Sequence, residues 1–275
     1  MDREALKLFA TQIRLETLEM IFRSKASHIG SCFSIVDILA ALYGGCLNVN
    51  PLFPKDPKRD KVILSKGHAA AALYATLALK GFFPKENLKD FCKSGSSLIG
   101  HVSHNIRGVE FSTGSLGHGL SVCCGMALAA KNDQKSSRHV VIVSDGELNE
   151  GSFWEGVMLA AHHQLQSIVI IVDDNQMQSL GHTCDILSLE PKEKKFEAFG
   201  LDVFAVDGHD CESIIDAFNA KSSKPKVMIA KTIKGKGVSF MENQLIWHYK
   251  NPSFDQYLEA KKELECARDL LTSSL

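Results

Sequence analysis

Apolar and polar positions recur along this 275-residue chain with two periods, and the change from one to the other marks out its elements. Over residues 3–23, Leu6, Phe9, Ile13, Met20 and Ile21 share one helical face, with Thr17 as the one polar interruption. A second apolar helix is expected over roughly 34–46, an alanine-rich one over 69–80 opened by Gly67-His68, and a small-residue one over 119–131. Short continuous apolar runs read instead as buried strands: 61–65, Val140 to Val143 leading through Ser144 into Asp145-Gly146, and 168–172 ending in Asp173-Asp174-Asn175. A helix is expected between the last two at about 152–163, further strands at 202–206 and 226–231, and a charged helix at 254–271. Strands alternating with helices predict an α/β fold, a mostly parallel sheet flanked by helices on both faces.

Composition changes this picture little. With 45% hydrophobic and 23% charged residues, the chain suits a single large domain over 1–275. A net charge of −1 points to neither nucleic acid nor an anionic membrane as partner. No run approaches the roughly 18 apolar residues of a membrane span, and the opening MDREALKLFATQIRLETLEM lacks the apolar core of a signal peptide. The eight cysteines, at 32, 46, 92, 123, 124, 184, 211 and 266, include no CxxC pair, so reduced core thiols and a cytoplasmic protein are expected.

The candidate chemistry lies where two strands end. Asp145 and Asn175 follow buried strands thirty positions apart, and open α/β sheets bind ligands beyond the carboxyl ends of their strands. A hard cation such as magnesium takes oxygens from one or two carboxylates plus substrate phosphates. Asp145 and the Asn175 side-chain carbonyl can supply such oxygens, and Gly146 lets the backbone approach a diphosphate. Singly, Asp-Gly and Asp-Asn are ordinary turns; the pairing across one helix favours the site.

SDGELNEG followed by DDNQMQSLG resembles the thiamine diphosphate motif of transketolases, GDG…N with roughly thirty residues between. RSKASHIGS, SKGHAAAALYA and GHVS resemble the family's three histidine loops. FSTGSLGHGLSVCCGMALA resembles its T-G-P-L-G-Q-G segment; VDGHD at 206–210 and AKTIKGKGVSFMENQLIWHYKNP at 230–252 match the remaining landmarks in order. The resemblance implies the diphosphate domain of the thiamine diphosphate-binding fold. It implies thiamine diphosphate with Mg²⁺ (Ca²⁺ or Mn²⁺ as substitutes) as cofactors, the metal held by the side chains of Asp145 and Asn175 and the backbone carbonyl of Met177. His68, Leu116, Gly117, Asp145, Gly146, Glu147 and Asn175 fall at its cofactor-binding positions. His28, His101 and His248 match its substrate-channel histidines, and Glu150 its carboxylate network linking paired sites, although a solvated first-turn glutamate is the plainer reading of Glu150. The remaining histidines, His209 among them, receive no role.

Ser144 stands where the family has the first glycine of GDG, Ser115 for a proline, His118 for a glutamine, Ile29 and Val102 for prolines, and Cys92 for an arginine. Transketolases are more than twice this long, and no counterpart of their pyrimidine domain is present. The resemblance therefore implies a split enzyme: this N-terminal subunit, a separate C-terminal subunit, two copies of each, and small sugars or sugar phosphates as substrates. The helix carrying Val122, Cys123, Met126 and Ala127 is a candidate partner contact, packing within the domain being the plainer alternative. Three alternatives stand beside this reading. One is the matching half of a deoxyxylulose-phosphate synthase or 2-oxoacid dehydrogenase, the dehydrogenase being disfavoured by the four histidines. The second is a non-catalytic partner-binding subunit, and the third a dinucleotide-binding domain, which the absence of GxGxxG after the first strand argues against.

Overall fold

A computed structural model describes residues 1–273. Five strands, β1 (Lys61–Leu64), β2 (His139–Ser144), β3 (Ile168–Asp174), β4 (Asp202–Asp207) and β5 (Lys226–Lys231), form one parallel sheet in the order β1-β2-β3-β5-β4. Register pairs Ser144 with Asp173 and Asp174 with Lys231, so β2, β3 and β5 end side by side. Alternation divides their side chains between two cores. Val140, Ile142, Val169, Ile171 and Met228 face one, while Val141, Val143, Ile170, Val172 and Ile229 face the other. Both faces of β2 and β3 are therefore dry, which is why these strands read as unbroken apolar runs.

The first core is covered by α1 (Arg3–Ser24), α2 (Ile29–Ser34), α3 (Val36–Ala41) and α4 (Ala70–Leu79). Asp2 caps α1 by accepting from the Ala5 amide, and all five residues of its expected apolar face are buried. Thr17 is buried with them, its hydroxyl without a hydrogen-bond partner. The second core is covered by α5 (Gly119–Asn132), α6 (Gly151–His162) and, past the short α7 (Thr183–Leu187), α8 (Lys192–Ala198). Two further helices, α9 (Cys211–Asn219) and α10 (Phe254–Thr272), return to the first core. A capping box between Ser253 and Gln256 starts α10. It packs on α1 through the stacked rings of Phe22 and Tyr257, 4.1 Å between centroids.

The helix expected over 34–46 is instead α2, α3 and a wider terminal turn over Leu42–Cys46, broken at Ile35. The break follows a demand from the sheet: Ser34 Oγ donates to Asp173 Oδ2 at 2.6 Å. Helices α7, α8 and α9 were absent from the expected elements, although Ile214, Ala217 and Phe218 of α9 carry helical spacing. Among the described residues every cysteine is unpaired, with Cys32, Cys46, Cys123, Cys124 and Cys211 buried, and no helix is long and apolar enough to cross a membrane.

Candidate active site

A cavity of about 460 Å³ opens beyond the carboxyl ends of β1, β2 and β3. Four histidines from four separate segments meet in it. His28 precedes α2 in a left-handed conformation (φ 75°), His68 lies in the 3₁₀ turn Gly67–Ala69 after β1, His101 in the loop before Val102, and His248 ends the 3₁₀ turn Leu245–His248. Their ring centroids lie 5.1–5.9 Å apart in the pairs His28–His68, His28–His101, His28–His248 and His68–His248. Backbone contacts hold these loops together. The His28 amide donates to the His248 carbonyl at 3.0 Å, and the Val102 amide to the Gly67 carbonyl at 3.2 Å. Tyr74 Oη donates to the His101 carbonyl at 2.8 Å. Burial, reinforced by His101, Lys234 and Lys66, pushes His28 down to about 4. Burial and Lys234 push His248 down to about 3, and burial with Lys66 holds His68 well below its usual value. These three imidazoles are neutral near pH 7.

The strand ends make the acidic wall. Asp145 follows β2 and is 3% exposed; its Oδ1 accepts from the Gly146 amide at 2.7 Å, while its Oδ2 is buried with no hydrogen-bond partner. Burial, with the neighbouring charges of Asp173 and Asp174, pushes its carboxyl up to about 7. Asn175 follows β3 with Oδ1 accepting from the Met177 amide at 3.0 Å, and Nδ2 donating to Asp173 Oδ2 at 3.0 Å. A buried carboxylate oxygen left without a donor, beside an amide oxygen and a backbone carbonyl, is a donor set a hard cation completes. Asp145, Asn175 and the Met177 carbonyl thus fit magnesium carrying phosphate oxygens. Among the described residues no three acidic, cysteine or histidine side chains cluster as a metal cage of their own. At Gly146 a Cβ would stand 3.2 Å from Gln178 Cγ, so the glycine keeps that wall open to a close ligand.

Leu116 lines the cavity, but Gly117 and Glu147 stand one layer behind it. Glu147 is fully buried: its Oε1 accepts from the Gly117 amide at 2.8 Å and from the Ser65 hydroxyl, and Oε2 has no partner. Gly117 is left-handed (φ +82°), and a Cβ there would meet Ser152 Oγ at 2.4 Å and Glu150 Cβ at 2.8 Å. Glu147 therefore holds the Gly117 backbone and Ser65 and does not itself face the cavity. Glu150, the N-cap position of α6, is exposed at the rim. Ser144 lies in the extended end of β2, so the missing glycine costs nothing there; its hydroxyl accepts from the Glu147 amide at 3.2 Å.

Two lysines under the site escaped the sequence reading. Lys66 is 1% exposed and forms an ion pair with Asp173. Burial alone would raise the Asp173 carboxyl; Lys66 and the hydroxyls of Ser34 and Thr232 outweigh it and hold it low. Lys234, also 1% exposed, contacts the carbonyls of Met177 and Gln178 at 3.4 Å and His248 Nδ1 at 3.1 Å. Burial, with Lys66 beside it, lowers it to about 8. Having only donors, its ammonium makes Nδ1 of His248 the acceptor, so Nε2 carries the ring proton. Both lysines stand inside matched motifs, but as loop lysines they read as solvated; only burial distinguishes them.

On α5, Cys123 and Ala127 point into the second core, while Val122 and Met126 are half-buried. For the first two, packing within the chain is the finding and the expected partner contact is corrected. Before its polar end at Lys131 and Asn132, α5 leaves exposed the small-residue edge Ser121, Gly125 and Ala129, and α6 exposes Met158 and Leu159.

Residues 6–264 match the family described as transketolase, thiamine diphosphate binding domain. The chain is 41% identical over 267 residues to an apulose-4-phosphate transketolase subunit of Phocaeicola vulgatus, covering 96% of this chain and 95% of that protein. It is 41% identical over 260 residues to the 6-deoxy-6-sulfo-D-fructose transketolase subunit SqwG of a Clostridium species, covering 93% and 94% respectively. A crystal structure of transketolase from Campylobacter jejuni superposes with a TM-score of 0.89 at 29% identity, covering 98% of this chain and 46% of that one. The chain thus spans about half the length of that solved transketolase.

Proposed function

The chain belongs to the transketolase family through its thiamine diphosphate-binding domain, and from that premise we propose that it is the N-terminal subunit of a split transketolase. It transfers a two-carbon ketol unit from a ketose to an aldose, and only when assembled with a separate C-terminal subunit. The carrying observation is Asp145: a buried carboxylate with one unpartnered oxygen, at a strand end, facing a cavity ringed by four histidines. Burying a carboxylate oxygen without a donor is costly, and a metal–diphosphate group at this strand end would supply the missing partner.

Asp145, Asn175 and the Met177 carbonyl hold Mg²⁺, with Ca²⁺ or Mn²⁺ as substitutes. His68 and the Gly146 backbone receive the diphosphate, and Leu116 on the loop held by Gly117 and Glu147 flanks the cofactor. When bound, thiamine diphosphate supplies the carbon nucleophile and electron sink for breaking and making the carbon–carbon bond. The chain's own task is proton management. His248, anchored on Lys234 with Nε2–H turned away from it, donates to an oxygen gaining negative charge. His28, neutral by burial, accepts a proton or hydrogen bond from a substrate hydroxyl. His101, more exposed, completes the channel.

Missing chemistry supports the partner. Among the described residues that line the cavity there is no carboxylate other than Asp145 and the rim residue Glu150, and the one lining lysine, Lys66, is committed to Asp173. A group to polarise the cofactor's far ring and cations for an anionic sugar lie outside this domain, and in this reading the C-terminal subunit supplies them. Both named relatives act as subunits on sugars carrying a phosphate or sulfo group, and a ketose with such a terminal anion fits this division. One diphosphate-binding domain per chain, two copies of each subunit, the exposed edge of α5 and α6 within the interface, Glu150 facing across it, and a cytoplasmic location complete the reading. The test is reconstitution. The purified chain alone should show no ketol transfer at any cofactor concentration and should gain it on mixing with its cognate C-terminal subunit. Robust activity from the lone, homogeneous chain would refute the split-enzyme reading.

A further inference from the structure

Outside the cavity, the buried pair Arg14 and Asp37 and the half-buried His209 meet with no part in the proposed chemistry. Arg14 of α1 makes a two-pronged ion pair with Asp37 of α3, at 3.0 Å (Nη1–Oδ1) and 2.6 Å (Nη2–Oδ2). His209, in the turn after β4, donates through Nδ1 to Asp37 Oδ2 at 2.7 Å. Its Nε2 accepts from the backbone amide of Ile233 at 2.8 Å. That backbone donor leaves one arrangement for the ring: Nε2 bare, the proton on Nδ1, and the carboxylate of Asp37 receiving it. Arg14 reaches the same segment independently, Nε donating to the Lys236 carbonyl at 2.9 Å. None of the three lines the cavity.

The segment they grip is the turn 232–237, and Lys234 lies between the two grips. Its other ties include the Thr232 amide to the Asp174 carbonyl at 3.2 Å, the Gly235 amide to the Gly30 carbonyl at 3.0 Å, the Asn243 amide to the Lys234 carbonyl at 2.9 Å, the Gly237 amide to Glu242 Oε1 at 3.1 Å and the Thr232 hydroxyl to Asp173. Lys234 Nζ then touches the Met177 and Gln178 carbonyls and His248 Nδ1, so its placement sets the metal-side loop and the ring of a channel histidine together. A four-carbon lysine stem has enough rotamers to miss these partners unless its backbone is fixed. Clearance is tight as well: a Cβ on Gly30 would come within 3.2 Å of Lys234 Cγ.

We propose that Arg14, Asp37 and His209 form a relay that fixes the 232–237 turn and thereby aims Lys234 at Met177, Gln178 and His248, with His209 as its positioning residue. The relay extends the proposed thiamine diphosphate site, on which it rests, to residues of α1, α3 and the turn after β4 that do not line the cavity. It differs from general core packing because its effect runs through one hydrogen bond and one lysine.

Two substitutions separate the ring's functions. H209Q places an amide oxygen near the Nε2 position and can still accept from Ile233; H209N keeps a donor toward Asp37 but leaves the Ile233 amide without an acceptor. Each variant, assembled with the C-terminal subunit, is titrated calorimetrically with thiamine diphosphate in excess Mg²⁺, alone and combined with K234M. H209N should weaken cofactor affinity about tenfold or more, since a part-buried donor loses its partner, while H209Q stays within about threefold of wild type. In the K234M background H209N should cause little further loss, because the lysine it positions is gone. Equal losses for H209N and H209Q, or an undiminished H209N loss beside K234M, would overturn the relay. If H209N does not assemble, R14K, which keeps the charge but not the Nε contact, is put through the same cycle and must likewise lose its effect beside K234M. A wild-type complex that binds no thiamine diphosphate would instead refute the functional reading, and the relay with it.

Discussion

Lys66 Nζ and Asp173 Oδ2 meet at 2.5 Å beneath the cavity, both sealed from solvent, the lysine from the loop after β1 and the aspartate from the end of β3. The pair spans β2, whose own end carries Asp145, so it ties together the three strand ends that carry the site. Ser34, Thr232 and Asn175 add hydrogen bonds to the same carboxylate, which makes Asp173 the hub beneath the floor.

Removing one partner of a buried pair strands the other charge. K66M should destabilise the chain by about 3–5 kcal/mol. K66M combined with D173N should recover much of that loss, because no unpaired charge remains. Chemical denaturation at pH 7 measures both; a single variant no less stable than the double would show that the pair contributes little.

Asp145 carries the opposite sign. Its carboxyl lies at about 7 in the fold against 3.8 ordinarily. The unfolded chain releases that proton near its ordinary value, so this group's contribution is fully present below about 3.8 and is lost as pH rises through about 7. D145N removes the titration. In metal-free solution it should be more stable than wild type at pH 8, by at most about 4 kcal/mol, with the gap closing toward pH 4. Excess Mg²⁺ and thiamine diphosphate, with the partner subunit present, should reverse the order because they stabilise only the wild type. A metal-free gap that widens on acidification would contradict the assignment.

Gly117 supports the site through shape alone. G117A forces an alanine into left-handed backbone against Ser152 and Glu150, and should cost roughly 2–4 kcal/mol. It should also weaken cofactor binding, since the adjacent Leu116 lines the cavity. A melting temperature unchanged from wild type would show that the loop relaxes freely.

His248 serves chemistry more than binding. In the reconstituted enzyme H248A should lower kcat by about 10²–10⁴, with thiamine diphosphate affinity changed less than about tenfold. Steady-state kinetics with a verified donor sugar, set beside calorimetry, distinguishes the two. A loss confined to cofactor affinity would move His248 from the proton-handling role to the binding one.

The order of amino acids alone specifies what is local and periodic. Unbroken apolar runs at 140–143 and 168–172 state that both faces of β2 and β3 are buried, and a buried strand that ends in Asp-Gly or Asp-Asn must turn where those side chains emerge. Motif spacing likewise places His28, His68, His101 and His248 in loops. Which distant side chains share a dry pocket emerges only from the packed molecule. Lys66 and Lys234 look like solvated loop lysines along the sequence, yet the fold leaves each 1% exposed. Glu147 stands in the same motif as Asp145, yet its carboxylate turns to Ser65 and Gly117, more than 25 positions away in sequence. His209 stands in the matched segment VDGHD, but nothing there points to its partners Asp37 and Ile233, which come from separate segments. Burial and pairing of a charge are properties of the packed whole: desolvation depends on every atom that excludes water around the group, and no local pattern of residues encodes that sum.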